Sequence, residues 1–280
     1  MKRTLLFIAA IFLLIIYNQA NAQKHKLVKV WETDTILKVP ESVFYDATNK
    51  VLYASNIDGT DPWAKDGKGS IAKIGMDGKI IAVEWVTGLN APKGMGAYNG
   101  KLYVADLTNI AQIDIKTGKI DKLIPVEGAQ GLNDVSVDKE GMIYVSDSKA
   151  NKIYQLDHAT NSVVVDKMKG ANGVLMRGKD FYYLDAGGIY KMDKKISVKI
   201  ADGMEGGTDG IENVSGNDFL VSCWQGAIWY VHADGSKELL LDTRTEKRNT
   251  ADIGFDPKTK IVYVPTFWKN SVVAYKLSEE

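Results

Sequence analysis

Six polar residues recur at corresponding places along this chain: Glu41, Lys93, Asn133, Asn172, Asp209 and Asp252, each ten to twelve residues ahead of the centre of a β-branched or aromatic segment. Asparagine and aspartate are ordinary turn residues. A glutamate and a lysine in the same register are not. If one confined mouth collected all six, the carboxylates and amide oxygens would repel or stay unsatisfied unless a cation held them. Their formal charges sum to −2, the match for one divalent ion. The donors are oxygens, without imidazole or thiolate, which selects a hard ion, calcium before magnesium. If the protein is a hydrolase, the chemistry such a site supports is attack of water on a carbonyl, with a carboxylate taking the proton. Asp209 is the candidate base and Glu41 the alternative.

Other residues add a candidate wall. The loop from Ile57 to Gly69 carries Trp63, and corresponding later loops carry Trp224-Gln225 and Phe267-Trp268-Lys269. Trp63, Trp224 and Trp268 on one face could stack on a ring or bury an acyl chain, or simply pack neighbouring elements. Arg244, Lys247 and Arg248 between Thr243 and Ala251 suit an anionic substrate, or a solvated charge run. Cys223 has no histidine near it in the repeat and reads as a spectator.

The segments that must position these residues are themselves a repeat. Val51–Asn56, Lys101–Asp106, Met142–Asp147, Asp180–Asp185, Asp218–Cys223 and Ile261–Thr266 share strand-forming composition, and their centres lie 50, 41, 38, 38 and 43 positions apart. A second run follows each, near Ile71, Ile110, Ile153, Ile189, Ile228 or Val272, and often leads to a tight turn such as Met76-Asp-Gly-Lys79. Units of about 40 residues with four short antiparallel strands predict an all-β, six-bladed β-propeller. A β-sandwich does not explain the period. The last unit lacks a fourth strand, which Lys26–Trp31 would supply to close the ring.

In a propeller the first strand of each blade lines the axis, so the six polar residues start those strands at one mouth. The same strand directions send His158 and His232 to the opposite face, with His25 in the closing strand, leaving no histidine as base. Asp106, Asp147 and Asp185 end second strands and read as caps on loop N–H groups. Tyr53, Tyr103, Tyr144, Tyr182 and Tyr263 read as blade packing.

Lys2 and Arg3, an apolar run from Leu5 to Tyr17, and Ala20 and Ala22 predict a signal peptide over residues 1–22, leaving a propeller of residues 23–280. The run is too short to span a bilayer, so the expected location is periplasmic or secreted after cleavage near Ala22. Without Lys2 and Arg3 the 35 basic residues fall below the 35 acidic ones, giving a net charge of −2 and arguing against nucleic acid. A single cysteine permits no internal disulfide and no multi-cysteine zinc site.

Pro-Glu41-Ser-Val, Leu-Asn133-Asp-Val, Ala-Asn172-Gly-Val and Thr-Asp209-Gly-Ile, in this order over six blades, resemble the senescence marker protein/gluconolactonase (regucalcin-like) family. The resemblance implies a lactone hydrolase whose divalent ion is held by Glu41, Asn172 and Asp209, with Asn133 ligating it or touching substrate. The ion implied is Ca2+ or another such as Mg2+, Mn2+ or Zn2+. The family's sugar-lactone enzymes place an arginine two residues before that asparagine, where this chain has Gly131. Lys93 and Asp252 lie outside the matched motifs and either pair with each other or leave Lys93 to contact an anionic substrate. Asn133, Lys93, Asp252 and the three tryptophans form the expected substrate surface. The competing reading is a non-catalytic propeller that binds a ligand or protein around a structural calcium ion. A strictosidine-synthase-like enzyme would need a catalytic glutamate, for which only Glu41, Glu127 and Glu205 are available.

Overall fold

Sequence period becomes architecture directly. The computed structural model describes residues 24–157 and 160–279, and in it the chain forms six four-stranded antiparallel sheets, the blades of a six-bladed β-propeller. The expected leader, residues 1–22 with its cleavage point at Ala22, lies outside the described residues, as does His158. Among the described residues no helix is long and apolar enough to cross a membrane.

Within five of the blades the strands follow chain order from axis to rim, and in the sixth the first strand of the chain takes the outermost place. The second strands are almost wholly buried, as in Val51–Asn56 and Asp218–Cys223, because both faces meet a neighbouring sheet. The outermost strands, such as Ile196–Ala201, are largely exposed. The apolar cores lie between blades. Tyr182, Leu184 and Ile189 of blade 4 pack on Phe219 and Val221 of blade 5, and equivalent clusters join the other adjacent pairs. Tyr53, Tyr182 and Tyr263 are fully buried in these seams, as their place in the repeat predicts.

Ring closure is as expected. His25–Glu32 pairs antiparallel with Val272–Glu279, from His25 opposite Glu279 to Glu32 opposite Val273, and supplies the fourth strand of the blade formed by the last residues. A bulge between Lys29 and Trp31 bends the strand. Trp31 there packs toward Tyr263 and donates its indole N–H to the Met76 carbonyl of blade 1.

The caps also behave as their positions require. The Asp147 carboxylate accepts backbone N–H groups of Gln130, Gly131, Lys149 and Ala150. Asp106 accepts from Asn90 and Ala91, and Asp185 from Lys169 and Gly170. Each therefore ties the end of a second strand to the loop entering its own blade, and so fixes where the axial residues begin.

Candidate functional site

The inner strands start at Pro40, Pro92, Leu132, Ala171 and Thr208, each one residue before its ring residue, so Glu41, Lys93, Asn133, Asn172 and Asp209 share one level at the mouth. In blade 6 the inner strand is only Gly254–Asp256, and Asp252 joins the ring through a parallel bridge to Ser42. The approach to Glu41 is held tightly. Val39 takes a left-handed φ of 58°, costly for a β-branched residue, with its N–H bound by Asn270 Oδ1 and its carbonyl by the Ile57 N–H.

Glu41, Lys93, Asn133, Asp209 and Asp252 are all buried. Lys93 Nζ lies 3.4 Å from Glu41 Oε1, and the amide of Asn172 hydrogen-bonds Asp209. Three buried oxygens at this level have no hydrogen-bond partner: Glu41 Oε2, Asn172 Oδ1 and Asp209 Oδ1. Burial drives the Asp209 carboxyl well above its usual range, the charge of Glu41 adds to this, and Lys93 opposes it. Glu41 is raised by burial against the pull of Lys93. Three unsatisfied oxygens and two reluctant carboxylates are what a hard cation relieves, so the residues present fit a divalent ion. Asn133 stands beside them, its amide nitrogen donating to Ser148 Oγ at 2.9 Å.

The expected pairing of Lys93 with Asp252 is not found. Lys93 pairs with Glu41, while Asp252 receives the Ser42 hydroxyl at 2.5 Å and turns to the channel beyond the mouth. A cavity of about 200 Å³ begins there, lined by Asp252, Asp134, Glu212, Ser42 and Ser136 with Val135, Val174 and Ile211. Burial and the charge on neighbouring carboxylates raise Asp134 and Asp252, and lift Glu212 to about 8. The repeat did not single out Asp134 and Glu212. A signal was nevertheless available in Gly94. A Cβ there would stand 2.4 Å from Asp134 Oδ1, so the missing side chain makes room for that carboxylate.

The three tryptophans fall into two groups rather than one wall. Trp63 lies at the mouth, with the ammonium groups of Lys93 and Lys149 at 4.5 Å and 4.6 Å from its ring centre. Trp224 and Trp268, 37% and 43% exposed, line a separate shallow pocket of about 290 Å³ with Gln225, Arg244, Lys247 and Asn249. Phe267 packs edge-on against both and is itself buried beneath them. Arg248 turns away and pairs with Glu32 of the closing strand. Gly131 also gains an explanation. A Cβ there would meet Lys149 and Trp63 at 2.8 Å, so these two side chains fill the space a larger residue would take. Cys223 is buried and its thiol is pushed up to about 12, chiefly by burial, which suits a spectator.

Residues 39–196 match the family described as the SMP-30/gluconolactonase/LRE-like region. No curated protein matches the chain in sequence. Among solved structures, a gluconolactonase from Xanthomonas campestris superposes with a TM-score of 0.71 at 12% identity, over 92% of this chain and 96% of that one. A streptogramin B lyase superposes with a TM-score of 0.67 at 10% identity, over 92% and 98%. A chain of the nidogen/laminin complex gives 0.64 at 15%, over 78% and 84%. At these identities the superpositions show a shared propeller, a fold that carries hydrolysis, elimination and protein binding alike.

Proposed function

This chain belongs to the SMP-30/gluconolactonase/LRE-like family, and on that premise we propose that it is a divalent-metal-dependent hydrolase of lactones. The observation that carries the proposal is the convergence of Glu41 Oε2, Asn172 Oδ1 and Asp209 Oδ1, buried and unpartnered, from three blades at one mouth. Glu41, Asn172 and Asp209 are assigned to hold the ion, Ca2+ before Mg2+, Mn2+ or Zn2+, with Asn133 as fourth ligand or substrate contact. The chemistry such an ion supplies when bound is Lewis acidity toward the ester carbonyl and a lowered pKa for water.

The protein's own groups do the rest. Asp209 accepts the proton of the attacking water at a carboxylate oxygen. Glu41, whose other oxygen is tethered to Lys93, is the alternative acceptor. Lys93 and Lys149 both place their ammonium groups within 4.6 Å of the Trp63 ring centre, so a substrate at the mouth meets positive charge there, which favours a lactone bearing a carboxylate or other anionic group. With residues 1–22 as a signal peptide, the enzyme works outside the cytoplasm, in the periplasm or medium.

The test is turnover of a lactone panel, from aldonolactones to acyl lactones, by calcium-, magnesium-, manganese- or zinc-loaded protein and by chelated protein. Chelator-sensitive opening of any lactone supports the proposal. Tight ion binding by calorimetry without turnover of any lactone rejects it in favour of a binding propeller with a structural ion, the reading that the lysine within the ring favours.

A further inference from the structure

On the face opposite the mouth, the closing strand begins against the rim of blade 5. His25 opens the strand His25–Glu32, Glu238 lies in the strand Lys237–Asp242, and His232 follows the strand Ala227–Val231. More than 200 residues separate His25 from His232, yet both rings address one carboxylate oxygen. His25 Nδ1 and His232 Nε2 each lie 2.8 Å from Glu238 Oε1. The three ligand-type atoms all fall within 4.8 Å of one another.

The support around them is built rather than incidental. Glu238 Oε2 accepts the backbone N–H groups of Lys24 at 2.6 Å and His25 at 3.0 Å, which fixes the carboxylate. Tyr230 stacks on the His25 ring at 3.9 Å with planes 9° apart, and its hydroxyl donates to Asp218. The side chains of His25, His232 and Glu238 are 12%, 25% and 11% exposed, sheltered but open to water on one side.

We propose that His25, His232 and Glu238 form a second metal site, for zinc or a similar borderline ion, that staples the closing strand to blade 5. Two imidazoles and one carboxylate suit zinc, whereas the all-oxygen mouth suits calcium, so one chain separates two ions by ligand chemistry. Zinc bonds of about 2.0–2.2 Å at tetrahedral angles set ligand atoms about 3.3 Å apart. Each nitrogen would therefore retreat from the glutamate oxygen by about half an ångström, which small side-chain rotations supply. Three protein ligands leave the fourth position to solvent. An ion bound to the closed ring and absent from the opened one stabilises closure by mass action.

The experiment uses the full chain, stripped with chelator and then saturated with Ca2+ to occupy the mouth. Zn2+ alone is titrated by calorimetry, Co2+ is added for its visible tetrahedral spectrum, and melting is followed with and without Zn2+. The expected result is one equivalent of Zn2+, a Co2+ absorption band and a melting point several degrees higher. His232→Ala and Glu238→Gln should lose all three, and Asp209→Asn should keep them. His232→Gln, which keeps a polar side chain at the position, guards against a folding defect: it should melt near the unmodified chain without Zn2+ and gain nothing from it. Absence of a zinc-dependent shift in the unmodified chain, or zinc binding undiminished in His232→Ala, overturns the proposal and leaves the cluster a hydrogen-bonded clamp.

Discussion

Replacing Asp209 with asparagine should change stability in opposite directions with and without a bound ion. Asp209 is 2% exposed, one of its oxygens has no partner, and the charge on Glu41 opposes its ionisation. Asparagine keeps the shape and the bond to Asn172 while removing the buried charge. With chelator at pH 8 the variant should gain about 1–2 kcal/mol, within the usual cost of a buried polar group left without a partner. With calcium held a thousandfold above its dissociation constant, the unmodified protein gains about 4 kcal/mol that the variant forgoes, so the variant becomes the weaker by about 2–3 kcal/mol. In a domain of this size each kcal/mol moves the melting point by about 2–4 °C. Calorimetric melts should therefore cross: the variant higher in chelator, lower in calcium. Equal destabilisation in both conditions would refute the reasoning and make Asp209 a structural member of the strand entry.

Three further outcomes are expected. Glu212 sits at about 8 in the folded chain against 4.5 for the free side chain, so the folded state keeps a proton that the unfolded state sheds; this contribution is fully present below pH 4.5 and is lost as pH rises through 8. Glu212→Gln retains an acceptor for the Phe255 N–H and should flatten that slope, stabilising the protein by about 2 kcal/mol at pH 8, after a discount for channel water, and by nothing at pH 4 in denaturant titrations. Asp147→Ala strands four backbone N–H groups and should cost about 2–4 kcal/mol equally with and without calcium; a calcium-dependent cost would contradict its role as a cap. Deleting residues 23–32 removes the fourth strand of blade 6 and should lower the melting point of the whole ring, and an unchanged unfolding curve would show that this strand does not close it.

The ring of blades was legible because each blade repeats one physical problem, and the answers at Tyr53, Tyr182 and Tyr263 or at Asp106, Asp147 and Asp185 recur at near-constant spacing. That Glu41, Asn133, Asn172 and Asp209 share one level at the mouth was legible for the same reason. What periodicity does not carry is which side chain faces which across the axis. Lys93 pairs with Glu41 of the adjacent blade, while Asp252 accepts the hydroxyl of Ser42. Asp134 and Glu212 break the pattern, since their places are set by gaps in neighbouring blades such as that at Gly94. The tryptophans shared a face in sequence, but Trp63 was captured by two lysines and the others by Phe267. His232 was read as lying on the face opposite the mouth and His25 as lying in the closing strand, whereas nothing in the repeat singled out Glu238. Their meeting depended on the register of the closing strand against its neighbours.

That register has a consequence for how the molecule is born. Of the described strands, His25–Glu32 is made first, yet its partner is Val272–Glu279, the strand made after all the others. Until the sixth blade is made the strand His25–Glu32 has no partner, and five blades present an open edge to any other chain nearby. The contact that completes the molecule is also the one longest in sequence, so its entropy cost falls at the end of folding rather than being spread along it. A ring built this way closes only after its sixth blade is made, so the strand Val272–Glu279 acts as a timer that withholds closure until all six blades are present.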